Sequence, residues 1–359
     1  HDTTVVHEGR IDLADGAAGI FIIPRAGDST AINSGTIIVG EGTSIARNNI
    51  QSPSAGIFQT NFSVQGLGLT ESINTETGVI VTGDDGAGIR NLNIGGTSIA
   101  INEGSITVGN GTSTRVTNYS GESYDRLFQS SGITSFSVAS STLGATAYAG
   151  NSGEITTGDL SFGIVVSGQG SRRLDPTDPT AIIVNEGIVT TGDNSSGLFG
   201  LGNNVTTINS GSVTIGDLDL SAFQPHPVYT ADEFAQQGFG IASWGNGLSE
   251  AVNYGEITTG NGTVGAAARM NYVGYGYAAQ LLQGEEGTIT TGDASIGALV
   301  EGNYAATLVN EGRITVGRDS VGVDVTAGSV TLRGNTTATV IDGALFASNA
   351  GIIETGDAS

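Results

Sequence analysis

The segment Asn151-Ser-Gly-Glu-Ile-Thr-Thr-Gly-Asp159 decides the fold, because the chain repeats its pattern from one end to the other. Residues 185–193 read NEGIVTTGD, residues 253–261 read NYGEITTGN and residues 310–318 read NEGRITVGR. Eleven such segments align on a central glycine, at positions 9, 35, 78, 104, 153, 187, 211, 255, 287, 312 and 351. Self-similarity of this kind indicates an architecture in which one structural unit is stacked on itself.

Two further columns of residues recur within each repeat. The residue two places after the central glycine is always β-branched, which favours a strand over a helix: Ile11, Ile37, Ile80, Ile106, Ile155, Val189, Val213, Ile257, Ile289, Ile314 and Ile353. A second glycine, such as Gly163 or Gly197, follows eight residues later in seven of the repeats. The shortest repeats are therefore about 25 residues long.

A repeat of about 25 residues with short branched stretches and glycine-rich corners is typical of one coil of a parallel β-solenoid. We therefore predict an all-β protein of about eleven coils, continuous over residues 1–359, in which strands pair with the coils above and below about 4.8 Å away. Leucine is scarce at the periodic positions, which disfavours a leucine-rich repeat. The glycine density and the lack of a 3.6-residue period exclude a helical repeat.

Composition excludes several classes of function. The 359 residues contain 35 acids, 12 bases and no cysteine, for a net charge of −23. Disulfides and thiolate metal sites are excluded, and nucleic acid is not an expected partner because no basic stripe is present. No apolar run is long enough for a transmembrane helix. Because the last residues stop inside a repeat, we expect this chain to be a piece of a longer polypeptide.

Two polar columns accompany the repeat. Asparagine stands two places before the central glycine at Asn33, Asn102, Asn151, Asn185, Asn209, Asn253, Asn310 and Asn349, where it suits a left-handed corner and a stacked amide ladder. A mostly acidic column four places after the branched residue includes Asp159, Asp193 and Asp217. These carboxylates could each cap their own turn, share calcium between coils, or form a hydrolytic pair.

Insertions supply the candidate binding residues. Three leave the repeat at one corner, at about residues 41–55, 110–131 and 217–239, and two more occupy residues 171–179 and 269–277. Loops on a rigid scaffold often carry function, and aromatic and arginine side chains favour recognition. The alternative is that the loops fold back and bury their aromatic residues. The candidates are Tyr119, Tyr124, Arg126, Phe128, Arg172, Arg173, Phe223, His226, Tyr229, Tyr272, Tyr275 and Tyr277.

The pattern N-x-G-x-I-x-T-G-D-x-S-x-G-I resembles the repeats in β-helical passenger domains of Gram-negative autotransporter proteins. This resemblance covers nearly the whole chain and implies a right-handed β-helix exported to the cell surface. It further implies adhesion, aggregation or display, with a glycan or protein of a host or neighbouring cell, or a second copy, as partner. No catalytic residue and no cofactor beyond calcium is expected. A polysaccharide-degrading enzyme and a subunit of a surface filament or sheet are the alternatives.

Overall fold

In the computed structural model of this chain, the described residues form strands joined by turns, and none of them lies in a helix. The description covers residues 2–24, 27–45, 50–52, 54–61, 68–117, 123–128, 130–138, 145–169, 180–219, 221, 237–270, 278–327, 330–333, 338–341 and 344–357. Each coil contributes strands to three stacks, which we call A, B and C in the order in which the chain enters them.

Strands of adjacent coils pair in parallel throughout the three stacks. Stack A contains β1 (Thr3–His7), β4 (Ser29–Asn33), β9 (Gly68–Asn74), β12 (Gly96–Asn102), β17 (Ala145–Asn151), β20 (Ala181–Asn185), β27 (Ala278–Gln283), β30 (Ala305–Asn310) and β35 (Ala344–Asn349). Stack B contains β2 (Arg10–Leu13), β5 (Thr36–Val39), β10 (Val79–Thr82), β13 (Ser105–Val108), β18 (Glu154–Thr157), β21 (Ile188–Thr190), β23 (Ser212–Ile215), β25 (Glu256–Thr259), β28 (Thr288–Thr291), β31 (Arg313–Val316) and β36 (Ile352–Thr355).

Stack C contains β3 (Ala18–Ile22), β8 (Ala55–Asn61), β11 (Ala87–Ile94), β16 (Ser130–Val138), β19 (Ser161–Gln169), β26 (Val264–Met270), β29 (Ile296–Gly302) and β32 (Val321–Ala327). Two long strands, β22 (Ser196–Asn209) and β24 (Phe239–Asn253), run through C into A and join the two stacks into one 19-stranded sheet. Stack B has 11 strands, one for each repeat. The predicted all-β parallel solenoid of about eleven coils is thereby confirmed.

Within the described residues, three antiparallel hairpins interrupt this regular winding. The pair β6 (Thr43–Ile45) and β7 (Ile50–Ser52) and the pair β14 (Thr112–Thr117) and β15 (Ser123–Phe128) both lie between stacks B and C, where the sequence predicts insertions. The third predicted insertion at this corner lies mostly outside the described residues. A hairpin that the sequence analysis did not predict, β33 (Val330–Arg333) with β34 (Ala338–Ile341), lies between stacks C and A.

The β-branched column forms the inner spine of stack B. Its members Ile37, Ile80, Ile106, Ile155, Val189, Val213, Ile257, Ile289 and Ile314 are fully buried and follow one another in register. Burial of each such side chain stabilises the fold by about 1.5–3 kcal/mol. In the last coil the equivalent Ile353 is 37% exposed, because only one neighbouring coil covers it.

The second glycine column lies directly against this spine. A Cβ atom added to Gly163 would be 2.2 Å from Cγ1 of Val189 in the next coil, and one added to Gly88 would be 2.3 Å from Cγ2 of Ile106. Both distances are too short for a real side chain. The recurring glycine and the recurring branched residue are therefore the two sides of one contact.

The asparagine column forms a buried amide ladder along stack A. The side-chain nitrogen of Asn151 donates to Oδ1 of Asn185 at 2.8 Å, and Asn185 donates to Asn209 at 2.8 Å. The same bond joins consecutive members of the set Asn33, Asn74, Asn102, Asn151, Asn185, Asn209, Asn253 and Gln283, and it also joins Asn310 to Asn349. The predicted stacking of asparagines is confirmed.

The predicted left-handed backbone at the asparagine column is wrong. Positive φ angles fall instead at Asp85, Leu160, Asn194, Ala294 and Asp319, which directly follow the acidic column, with φ between 51° and 55°. The asparagines end strands of stack A and keep extended backbone, because their amides must point inwards to meet the coils on either side. The sharp bend therefore lies at the next corner of the coil, between stacks B and C.

The amide ladder is interrupted once. Gln283 takes the ladder position in its coil, and it pairs in register with Asn253 on one side and Asn310 on the other. Its Nε2 atom and the Oδ1 atom of Asn310 are both buried without a hydrogen-bond partner. The extra methylene of glutamine therefore breaks the ladder at this coil. Asn74 also stands four residues before its central glycine, but it is bonded to both neighbouring coils.

We predict that Gly153→Ala destabilises the solenoid, whereas Gly9→Ala in the same column does not. A Cβ at Gly153 would be 2.1 Å from the carbonyl oxygen of Gly104 in the preceding coil, while at Gly9 the nearest atom, Cε1 of His7, is 3.7 Å away. Overpacking of this kind costs about 1–3 kcal/mol. Thermal and urea denaturation followed by circular dichroism would measure the difference, and equal midpoints for the two variants would contradict the close-approach explanation.

We also predict that Gln283→Asn stabilises the chain by about 1 kcal/mol, since it allows the missing ladder bond to form. Asn74→Gln is the matched reverse change, because Asn74 has the same offset from its central glycine and now bonds to both neighbouring coils. We expect a higher denaturation midpoint for the first variant and a lower one for the second. A lower midpoint for Gln283→Asn would show that the missing hydrogen bond between residues 283 and 310 does not reduce the stability of the chain.

Candidate functional site

The outward-facing side of stack C varies from coil to coil and is the candidate functional surface. Side chains alternate between the interior and the outside along a strand, so the residue after each interior Ile, Leu, Ala or Val faces outwards. These residues pair in register across the coils, and we call them the outer row: Phe21, Phe58, Arg90, Thr134, Val165, Phe199, Ala242, Ala267, Leu299 and Asp324.

From Val165 to Leu299 the outer row is buried although it faces away from the interior. Phe199 is fully buried, and its ring lies 5.0 Å from that of Trp244 in an edge-to-face arrangement. Phe239 makes a similar contact with Trp244 at 5.8 Å. The guanidinium of Arg269 lies 4.9 Å above the Trp244 ring and pairs with Glu301. This second apolar cluster stiffens the middle of the rod from the outside.

In the first three coils the outer row is less deeply buried than in the middle of the chain. Phe21 is 56% exposed, and its ring is stacked on that of Phe58 with 5.3 Å between centroids and 11° between planes. Arg90 follows Phe58 in register and is partly buried. Burial lowers the pKa of the Arg90 guanidinium below its ordinary value. An exposed aromatic stack and a desolvated cation therefore stand side by side.

Arg90 differs from the other arginines whose side chains the structure describes. Arg10 pairs with Asp12, Arg269 with Glu301, Arg313 with Glu354 and Arg318 with Asp293. Arg90 has no ion-pair or hydrogen-bond partner in the described part of the chain, although the chain carries 35 acids. A partly buried cation without an anion is costly, so the charge of Arg90 is less well compensated than that of the other four.

The corner beside this surface is held by Asp85. Its carboxylate accepts hydrogen bonds from the backbone N–H of Thr112 at 2.8 Å and from the Thr112 hydroxyl at 2.7 Å. Burial raises the pKa of Asp85, while the two bonds from Thr112 act in the opposite direction. Asp85 thereby ties the start of the β14–β15 hairpin to the coil that carries Arg90.

The predicted binding residues on the insertions are not tested by the structure. Tyr124, Arg126 and Phe128 lie on β15, but their side chains are outside the described set. The other candidates, namely Tyr119, Arg172, Arg173, Phe223, His226, Tyr229, Tyr272, Tyr275 and Tyr277, also lie outside the described residues. All of these assignments stay predictions.

The acidic column joins each coil to the next. Oδ1 of Asp159 accepts the backbone N–H of Asp193 at 2.8 Å, Oδ1 of Asp193 accepts that of Asp217 at 2.9 Å, and Asp217 accepts that of Asn261 at 2.7 Å. The expectation that each aspartate caps its own turn is therefore wrong. The N–H group that needs an acceptor lies in the following coil, directly above the carboxylate.

The negative charge itself is not required for this bond. Asn110 and Asn261 occupy the same column and accept the N–H groups of Asp159 and Asp293 at 2.9 and 2.8 Å. In the described part of the chain, no three acidic or histidine side chains cluster closely enough to hold a metal ion. Calcium at Asp159, Asp193 and Asp217 stays an untested prediction.

Comparison with known proteins assigns no relative. The chain matches no known protein family, and neither a curated protein nor a solved structure gives a match. Within the described residues there is no helix with the length and apolar character needed to cross a membrane.

Sequence analysis missed the outer row because it followed the positions that repeat. Phe58 and Arg90 occupy a position that has no consensus residue, since other coils carry Thr, Val, Ala, Leu or Asp there. The sequence nonetheless contains a usable signal. Once the isoleucine of each Gly-Ile pair is assigned to the interior, alternation along the strand places the next residue on the outside. A large aromatic or charged residue at that position marks the outer surface.

We predict that Asp193→Asn leaves stability unchanged or raises it slightly at low salt, while Asp193→Ala lowers it by about 1 kcal/mol. The amide retains the acceptor for the N–H of Asp217 and removes repulsion along the column, whereas alanine removes the acceptor. Thermal denaturation at low and high salt would test this. Calcium added to the wild type and to Asp193→Asn in the same assay would show whether the carboxylates also bind the cation.

Proposed function

We propose that this chain is a rigid extracellular stalk or adhesive passenger of a Gram-negative bacterium, which presents insertions for binding or self-association. The observation that carries this proposal is the placement of hairpins β6–β7 and β14–β15 at the same corner of the coil, between stacks B and C. Insertions that leave an elongated scaffold at one corner are displayed along one edge of it. The repeat pattern, which resembles that of autotransporter passengers, supports the surface location.

The scaffold has the properties that such a role requires. Eleven parallel strands of stack B follow one another without interruption, which at about 4.8 Å per coil gives a rod on the order of 50 Å long. Its interior is closed by the branched spine and the amide ladder, neither of which depends on the insertions. Insertions can therefore vary while the rod stays intact.

The net charge of −23 influences association between copies. Exposed carboxylates along one edge repel those of a second rod at low ionic strength, so lateral association strengthens with salt or divalent cations. Cleavage of polysaccharide and assembly into a surface filament or sheet remain alternatives, and no described feature favours either over display. The aspartates suggested for hydrolysis already hold backbone N–H groups.

We predict that adhesion is lost when the two corner hairpins are removed. The chain supplies its own replacement, because residues 83–86 turn the same corner tightly between β10 and β11. That four-residue corner would replace residues 40–54 and 109–130. Beads coated with the protein should adhere to cells or cell-surface polysaccharide, and we expect at least fivefold less adhesion for the variant, with an unchanged β-sheet circular dichroism spectrum.

The control removes a hairpin at the other corner. Residues 328–343 would be replaced by the Asn303-Tyr304 pair, which makes the same connection one coil earlier between β29 and β30. Adhesion should then be retained. Full adhesion by the double corner variant, or none by the wild type, would contradict the proposed function.

A further inference from the structure

We propose that the outer face of stack A is a docking surface for a second copy of this chain, and that two copies pack face to face along it. This inference deepens the self-association part of the proposed function, on which it rests. It places the contact on the scaffold itself rather than on the insertions.

The first observation is a line of apolar residues on this face. The residue that precedes the ladder position of each coil points away from the interior, because side chains alternate along a strand. We call these residues the apolar stripe. In ten consecutive coils they are Val, Ile or Leu, with one glycine, and they pair in register: Val6, Ile32, Ile73, Ile101, Gly150, Val184, Ile208, Val252, Leu282 and Val309.

The glycine does not interrupt the stripe. A Cβ atom added to Gly150 would be 3.0 Å from Oη and 3.1 Å from Cε1 of Tyr148, so the Tyr148 ring lies over Gly150. Ile99 and Ile182 are the register neighbours of Tyr148 and face outwards with it. The apolar stripe is therefore continuous, and it is two residues wide in these coils.

The second observation is that the chain leaves the stripe partly open to solvent. Val6 is 55% exposed, and the Ile, Val and Leu side chains that follow it are partly exposed, except Val252 at 7%. On stack C, by contrast, the outer row is buried from Val165 to Leu299. A long exposed apolar surface marks a site of interaction.

Strand pairing does not by itself require this apolar stripe. On the outer face of stack B, one row is threonine in seven successive coils: Thr107, Thr156, Thr190, Thr214, Thr258, Thr290 and Thr315. Val, Ile and Thr all suit a strand. The choice of Val and Ile on stack A therefore favours contact with another apolar surface over contact with water.

The third observation, the period of the stripe, selects the partner. Its side chains follow one another at the coil spacing of about 4.8 Å. They can interdigitate over the whole stripe only with a surface of the same period, as in packed sheets of identical segments. A second copy has that period and a stripe of equal length, whereas a convex globular partner would contact only a few coils. Because the stripe lies on one face, a two-fold pair closes without growing further.

The area is sufficient for a specific contact. The ten residues span about 43 Å, and a strip that includes half of each neighbouring row is about 12 Å wide. Two facing copies would bury about 1,000 Å² in total, which is the lower limit for a specific interface. The stripe itself is uncharged, so the repulsion expected from a net charge of −23 comes from its surroundings and weakens with salt.

The test measures the oligomeric state by sedimentation velocity at low and high salt. We expect the wild type to form dimers that become stronger with salt. Ile101→Lys with Val184→Lys should weaken dimerisation at least tenfold, although the two lysines reduce the net negative charge. The matched control, Thr107→Lys with Thr190→Lys, makes the same charge change on stack B of the same two coils. It should leave dimerisation unchanged or stronger.

Folding is followed in the same samples by circular dichroism, and both double variants should keep the β-sheet spectrum. If the stripe lysines unfold the chain, Ile101→Thr with Val184→Thr takes their place and should also weaken dimerisation, since it copies the threonine row of stack B.

A wild type that is monomeric at every salt concentration overturns the inference. Dimers that the stripe variant retains, or that the stack B control loses equally, overturn it as well, and so do species that grow beyond a dimer with concentration. If the wild type is monomeric but its beads adhere to cells, the inference fails while the proposed function stands. If it dimerises through the stripe but its beads do not adhere, the proposed function fails and the dimer contact stands.

Discussion

The close approach of successive coils is the constraint on which the rest of the structure depends. Parallel pairing in register brings each residue within about 4.8 Å of its equivalent in the next coil, so every position must be compatible with a copy of itself. At the inner corner this leaves no room for a Cβ atom, as the 2.2 Å between a Cβ added at Gly163 and Cγ1 of Val189 shows. The glycine column is therefore a packing requirement, and the β-branched column fills the space that the glycines leave.

The same constraint explains why buried polar groups are tolerated inside the rod. An isolated buried amide is costly, but an amide that repeats with the coil finds its partner in the next copy. Asn151, Asn185 and Asn209 each donate to the next member of the ladder at 2.8 Å or accept from the previous one. In the acidic column, each carboxylate likewise finds its partner in the next coil, where it accepts a backbone N–H. Both columns also fix the register, because a slip of one residue would leave every one of these groups unpaired.

Features that repeat could be predicted from the sequence, and features that differ between coils could not. Eleven glycines with their branched residues sufficed for the number of coils, the parallel pairing and the interior position of Ile155 or Val189. Asn74 and Gln283 were missed because two extra residues shift them from the column. The bonding of Asp159 to the next coil was misassigned because a local turn and a contact between coils use the same residue type. Hairpin β33–β34 was missed although two other insertions, at residues 171–179 and 269–277, were predicted at the same corner between stacks C and A.

Function is to be sought where the repeat places no requirement on the side chain. The interior of stack C carries Ile57, Ile89 and Ile133 in consecutive coils, whereas the outward positions that follow them carry Phe58, Arg90 and Thr134. Pairing requires nothing of these outward residues, so their identity reflects what covers them. Arg269, on the buried part of this face, has Trp244 beneath it and Glu301 beside it. Arg90, on the same face in the third coil, has no ion-pair partner in the described part of the chain, so the two arginines differ in what compensates their charge.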